Sequence, residues 1–125
     1  MAQLPRILVA LAALFFLFMG VQFWFALDTA AQSFGLSPVG LIGRASIRAD
    51  VGGLFIGGGL IMLHAAWKQC RMCAGAAATI VGVALLGRFI TVALDGMPPG
   101  GVPPMVVEAV IIAILLWARS SWKRA

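Results

Sequence analysis

Charge is what this sequence has least of. Only 10% of its 125 residues are Asp, Glu, Lys or Arg, where a water-soluble domain carries about 25%. A chain so poor in ions cannot cover a soluble fold of its size, and that class is excluded. There are four acids, Asp28, Asp50, Asp95 and Glu108, and one histidine, His64. In the topology argued below, that histidine lies at the opposite end from every acid, so a Ser-His-Asp constellation has no place to form. The two cysteines, Cys70 and Cys73, cannot complete a four-ligand structural zinc site. A phosphate-binding Walker loop, a GxGxxG after a strand, a GxSxG elbow and a zinc-protease HExxH are all missing. Beyond a bare excess of nine basic residues over four acids, nothing resembles a nucleic-acid-binding pattern. No cofactor and no metal is predicted, and a non-enzymatic role is favoured.

Long apolar runs are what the sequence has in abundance. Hydrophobic residues make up 62% of the chain, in unbroken stretches rather than at the spacing of one buried face. That pattern means lipid as solvent. The expected fold is all-α, a single domain of four transmembrane helices, with spans at about 7–27, 47–67, 74–94 and 105–120. The first, Ile7–Leu27, holds no charge over 21 residues and exceeds the roughly 7–15 apolar residues of a signal peptide. It reads as a retained span.

Asp28–Ala45 forms the first loop, with interfacial helical turns. Thr29 and Gln32 have capping-box spacing, Gly35 suits a helix end, and Ser37-Pro38 suits a helix start. Ser46 can cap the second span, in which Gly53 and Gly57 have the GxxxG spacing of a close helix contact. The aromatic run from Phe15 to Phe25 reads as packing and lipid contact. A proline- and glycine-rich break, Asp95–Pro104, separates the last two spans.

Cations set the orientation. Arg6, Lys68, Arg71, Arg119, Lys123 and Arg124 fall on one side of a four-span chain, and Arg44, Arg48 and the deeper Arg88 on the other. Positive residues favour the cytoplasm, so both termini and the 68–73 loop are expected there, in an inner membrane. Trp24, Trp67, Trp117 and Trp122 fall near span ends, as interfacial Trp should.

All four acids then share the outer half. Arg88 lies seven residues before Asp95, about 10 Å below the outer end of its helix. Its side chain leans inward, so it needs a partner: an unpaired ion in lipid costs at least ~2.5–3.5 kcal/mol. The expectation is a polar cluster of Arg48, Asp50, Arg88, Asp95 and Glu108, either a ligand site or a packing network. Cys70-Arg71-Met72-Cys73 is a CxxC with neighbouring cations, which favour thiolate. On a reducing side it is expected to hold free thiols.

The stretch Gly43-Arg44-Ala45-Ser46-Ile47-Arg48-Ala49-Asp50-Val51-Gly52-Gly53, then Gly87-Arg88-Phe89, Leu94-Asp95-Gly96 and Glu108, resembles a family of small four-helix bacterial membrane proteins of unassigned function in the DoxX-like group. The resemblance spans nearly the whole chain and covers Arg48, Asp50, Arg88, Asp95 and Glu108 residue by residue. It implies the four-helix fold and the polar cluster. Some DoxX-like relatives look like accessory subunits of membrane redox complexes. The expected function is therefore a binding or accessory protein whose cluster holds a lipid or quinone headgroup or a partner segment. Membrane lipids, a larger complex or further copies of the chain are the expected partners. The alternatives are a redox or proton-handling enzyme subunit and a small anion transporter.

Overall fold

The computed structural model describes residues 3–122; Lys123 and Arg124, two of the orienting cations, lie outside that range. The described residues contain helices and no strand. In chain order they are α1 (Gln3–Phe25), α2 (Leu27–Ser33), α3 (Gly40–Ser46), a π-helical turn (Ile47–Gly52), α4 (Gly53–Lys68), α5 (Arg71–Asp95) and α6 (Val102–Ser121). Four helices are long and apolar enough to cross a membrane: α1, the continuous Gly40–Lys68 unit, α5 and α6. At 1.5 Å per residue even α6, with 20 residues, reaches about 30 Å, the thickness of a hydrocarbon core. Large apolar side chains point outward along them, Leu11, Phe18, Leu60, Leu86 and Leu116 among them. Lipid rather than water suits such a surface.

α1 and α4 pack antiparallel in a register of small residues. Arg6, Ala13 and Gly20 on α1 recur every seven residues, as do Gly52, Gly59 and Ala66 on the partner. A seven-residue period keeps one stripe facing its neighbour over several turns. A Cβ on Gly59 would lie 2.8 Å from Leu17 Cγ and 3.1 Å from the Ala13 carbonyl oxygen. One on Gly52 would lie 2.7 Å from Trp24 Cδ1, and one on Gly20 3.0 Å from the Ile56 backbone nitrogen. The close crossing expected in the second span therefore exists, but not at Gly53 and Gly57. Nothing lies within 4 Å of a Cβ built on either. One residue is about 100° of helix turn, so the GxxxG pair sits on a different face from Gly52 and Gly59.

Two buried clusters follow from this arrangement. At the terminal end, where α1 begins and α6 finishes, all four long helices meet around Val9, Ala13, Met62, Ala74, Leu115 and Trp122. At the opposite, loop end, Phe23, Leu27, Ala30 and Ala31 form a second cluster with Ile47 and Val51. Phe55 joins the two, edge-on to Phe16 at 5.0 Å and stacked on Phe23 at 6.0 Å. Packing is thus the fate of Phe16 and Phe23, while Phe15, Phe18, Trp24 and Phe25 stay exposed. Trp122 departs from the interfacial expectation: it is buried in the four-helix core. α5 from residue 82 and α6 before residue 111 contain no buried residue. At the loop end the α5–α6 pair therefore stands apart from the α1–α4 core.

Helix ends differ from expectation where local chemistry overrides motif spacing. Neither Thr29 nor Ser46 caps a helix: α2 starts after Ala26, and Ser46 lies within continuous helix with φ −63° and ψ −43°. Gly35, at φ +70°, ends α2 as expected, with the Leu36 amide donating to the Ala31 carbonyl at 2.8 Å. Gln69 adopts φ +51° and the Cys70 amide donates to the Ala65 carbonyl at 3.0 Å. This tight C-terminal turn shrinks the expected 68–73 loop to two residues. Pro103 and Pro104 belong to α6 rather than to the break before it, since first-turn amides have no helical acceptor to lose.

Arginines close two helix C-termini at the terminal end. Arg6 Nε and Nη2 donate to the Ala66 and Trp67 carbonyls of α4 at 2.8 and 3.0 Å. Arg71 Nη1 donates to the Arg119 and Trp122 carbonyls of α6 at 2.6 and 3.1 Å. Each satisfies orphan carbonyls and sets a cation at the negative end of a helix dipole. Arg6→Gln and Arg71→Gln are each expected to lose about 1–2 kcal/mol, read as a lower midpoint in SDS unfolding from detergent micelles. A midpoint unchanged in both would show these bonds to be dispensable.

Candidate functional site

The five residues of the expected cluster separate into two groups plus one isolated acid. Arg88 on α5 and Glu108 on α6 form one group: Arg88 Nε donates to Glu108 Oε1 at 2.8 Å. The side chains are 35% and 15% exposed respectively. The pair ties α5 to α6 where apolar packing has run out. A cavity of about 70 Å³ lies beside Arg88, bounded by Thr91, Pro98 and Met105. That is room for a few ordered waters.

Arg48 and Asp50 form the second group, in the π-helical turn against the end of α1. Arg48 Nε donates to the Trp24 carbonyl at 2.8 Å, and Trp24 Nε1 donates back to the Arg48 carbonyl at 3.1 Å. This exchange closes the C-terminus of α1 much as Arg6 and Arg71 close α4 and α6. A π turn opens the regular carbonyl ladder, and such turns are common at functional sites. Arg48 also lines a groove of about 640 Å³ with Trp24, Phe25, Ala45, Ala49 and Gly53. Asp50 is exposed, as is Asp95 at the end of α5. Neither joins an ion pair among the described residues. The expected five-residue cluster is corrected to that extent: the parting of α5–α6 from α1–α4 keeps the two arginines in different neighbourhoods. The remaining loop-end pair, Arg44 Nη1 with Asp28 Oδ1 at 2.7 Å, involves an Asp28 side chain that is 78% exposed. Exposed pairs of this kind contribute ~0–1 kcal/mol.

The family model described as "Domain of unknown function (DUF4345)" matches residues 4–119. The chain belongs to the DUF4345 family. No curated protein and no solved structure matches it. The DUF4345 match takes in all four long helices and both groups of loop-end residues.

The other end of this DUF4345 chain carries a constellation that sequence reasoning undervalued. Cys70 and Cys73 are joined as a disulfide, not held as free thiols. The physical reason lies in the short α4–α5 turn. It makes Cys70 the residue that caps α5 and puts Cys73 in the first turn of that helix, with the two Cα atoms 5.2 Å apart. That separation is ordinary for a bridged pair. The Cys73 amide donates to Cys70 Sγ at 3.1 Å. A groove of about 780 Å³ runs past the pair, lined by His64, Lys68, Arg71 and Arg119 and by no acid. Gly75, one turn into α5, has no side chain to hold off the guanidinium of Arg119, which a Cβ there would strike. The signals that pointed here were the CxxC itself and the crowding of cations around residues 68–73. The short turn that turns them into a helix N-terminus was not visible in spacing.

Proposed function

We propose that the protein is a small membrane-embedded binding or accessory protein, whose groove at Arg48 takes the headgroup of an anionic lipid. One observation carries this reading. Arg48 uses Nε to hold α1, and its two terminal nitrogens have no protein acceptor among the described residues. It lines a groove otherwise walled by aromatic and small residues. A guanidinium presents a planar fork of donors that suits phosphate, and apolar walls beside it suit the first carbons of acyl chains. A quinone headgroup is the second occupant of the same chemistry, with carbonyl oxygens as acceptors.

This reading places the chain in a bacterial inner membrane with both ends cytoplasmic, on the strength of the cation asymmetry. It also takes the family to be DoxX-like, with the protein serving beside a larger membrane complex. An anion carrier, or a proton-handling subunit built on Glu108 and Arg88, is the competing class. Liposome flux that vanishes with Arg88→Gln would favour that class.

Native mass spectrometry after mild detergent extraction tests the proposal. Phosphatidylglycerol or cardiolipin is expected to stay bound to the parent chain and to Arg88→Gln. Arg48→Gln is expected to lose it about tenfold more readily. Retention that ignores Arg48 would overturn the assignment.

A further inference from the structure

We infer that Cys70 and Cys73 form a thiol–disulfide exchange site for a small, negatively charged thiol and its disulfide. Four features of the terminal end converge on this. The pair spans the N-terminus of a 25-residue helix, where backbone amides and the helix dipole favour thiolate. The Cys73 amide already donates to Cys70 Sγ, which selects Cys70 as the sulfur that carries negative charge when the bond opens. The groove beside the pair is open, is large enough at about 780 Å³ for a tripeptide-sized ligand, and is lined by Lys68, Arg71 and Arg119 without a carboxylate. Gly75 leaves the α5 backbone bare beneath Arg119, so a guanidinium with its plane of donors lies within one turn of the reacting sulfurs.

A structural role explains the pair poorly. The disulfide closes a loop between residues only three apart, so the entropy it removes from the unfolded chain is at the bottom of the range. The turn it spans is already fixed by the Cys70 amide bond to Ala65. Accessible disulfides are the labile ones, and neither Cys70 nor Cys73 is buried.

The exchange balances as follows. With the pair reduced, the Cys70 thiolate attacks one sulfur of the external disulfide RS–SR. A Cys70 Sγ–SR bond forms, the S–S bond of RS–SR breaks, and one RS⁻ leaves. Cys73, having given its proton to solvent, then attacks Cys70 Sγ. The intramolecular disulfide forms and the second RS⁻ leaves. Two electrons pass from the cysteine pair to RS–SR, and the two protons from the cysteines end on the two RS⁻ groups. The reverse sequence oxidises two RSH. Lys68 and Arg119 hold the carboxylates of R, while Arg71 is engaged with the end of α6.

The test uses the full chain in detergent micelles, with glutathione and glutathione disulfide as the anionic couple and cystamine as a cationic disulfide. Thiols are counted by maleimide mass shift after acid quenching. Both thiols are expected to disappear together as the glutathione buffer is made more oxidising. The prereduced pair should react at least tenfold faster with glutathione disulfide than with cystamine, each rate being normalised to that of free cysteine. The preference should fall severalfold in Arg119→Gln and, in the parent chain, on raising salt to 1 M. Cys73→Ser should trap one glutathione on Cys70. The salt arm needs no variant and so remains decisive if Arg119→Gln fails to fold. A pair that stays oxidised under a hundredfold excess of reduced glutathione, or that shows no charge preference, would overturn the inference.

Discussion

Glu108→Leu is expected to lower stability by about 2–3 kcal/mol, and Arg88→Leu by only about 1 kcal/mol, although they remove opposite ends of one ion pair. The asymmetry follows from what each change leaves behind. A carboxyl group left in lipid without its cation has a neutral form open to it. Without Glu108, Arg88 keeps its charge, because a guanidinium does not deprotonate. An unpaired cation at membrane depth costs ~2.5–3.5 kcal/mol on insertion scales. Arg88 Nε is 2.8 Å from Glu108 Oε1, and α5 offers no buried apolar residue beyond Val81 to hold the helix in its place. The double variant Arg88→Leu/Glu108→Leu removes both ions and should recover most of the loss, as apolar replacement of buried pairs often does. SDS-titration midpoints of the three variants form a double-mutant cycle. If the losses simply add, the pair does not hold α5 to α6.

The second large effect lies in the α1–α4 seam. Gly59→Leu is expected to destabilise by about 3 kcal/mol, the upper part of the range for overpacking. Its Cβ alone would press on Leu17 and on the Ala13 backbone oxygen, and a backbone carbonyl cannot rotate away as a side chain can. Gly57→Leu, two residues earlier, meets nothing within 4 Å of its Cβ. It should be neutral or gain a few tenths of a kcal/mol from better helix propensity. The contrast is the test: equal losses at 57 and 59 would mean that the packing face has been misassigned.

These two predictions also mark where sequence reading succeeds and where it stops. The four helices were legible because lipid demands long uncharged runs, and a run of that length has few other readings. Gly35 and the break after Asp95 were legible because a positive φ and a lost amide are local matters. The seam was misassigned to Gly53 and Gly57, because GxxxG is frequent in glycine-rich membrane helices and says nothing about facing. The seven-residue recurrence of Gly52, Gly59 and Ala66 against Gly20, Ala13 and Arg6 carried the facing, and it shows only when two segments are compared. Depth put Arg88 level with both Asp50 and Glu108, and of the two it is Glu108 that it meets. Arg48 was drawn into the same cluster because depth fixes height in the bilayer but not direction around the bundle. The cysteines were expected as free thiols from the compartment assigned to them, which says nothing of the short turn that brings Cys70 and Cys73 together.

The bonds from Arg6 to the Ala66 and Trp67 carbonyls bear on how the chain is built. Everything the first helix needs for its seam has been synthesised once the chain reaches Lys68, and segments made first generally assemble first. Arg71 and its acceptors at Arg119 and Trp122 likewise lie wholly within the later half. A ribosome delivering this chain therefore releases two hairpins in succession, each already carrying the clasp that locks its own far end. Only the apolar contacts among α1, α4, α5 and α6 at that end remain to be made as the second hairpin slides against the first.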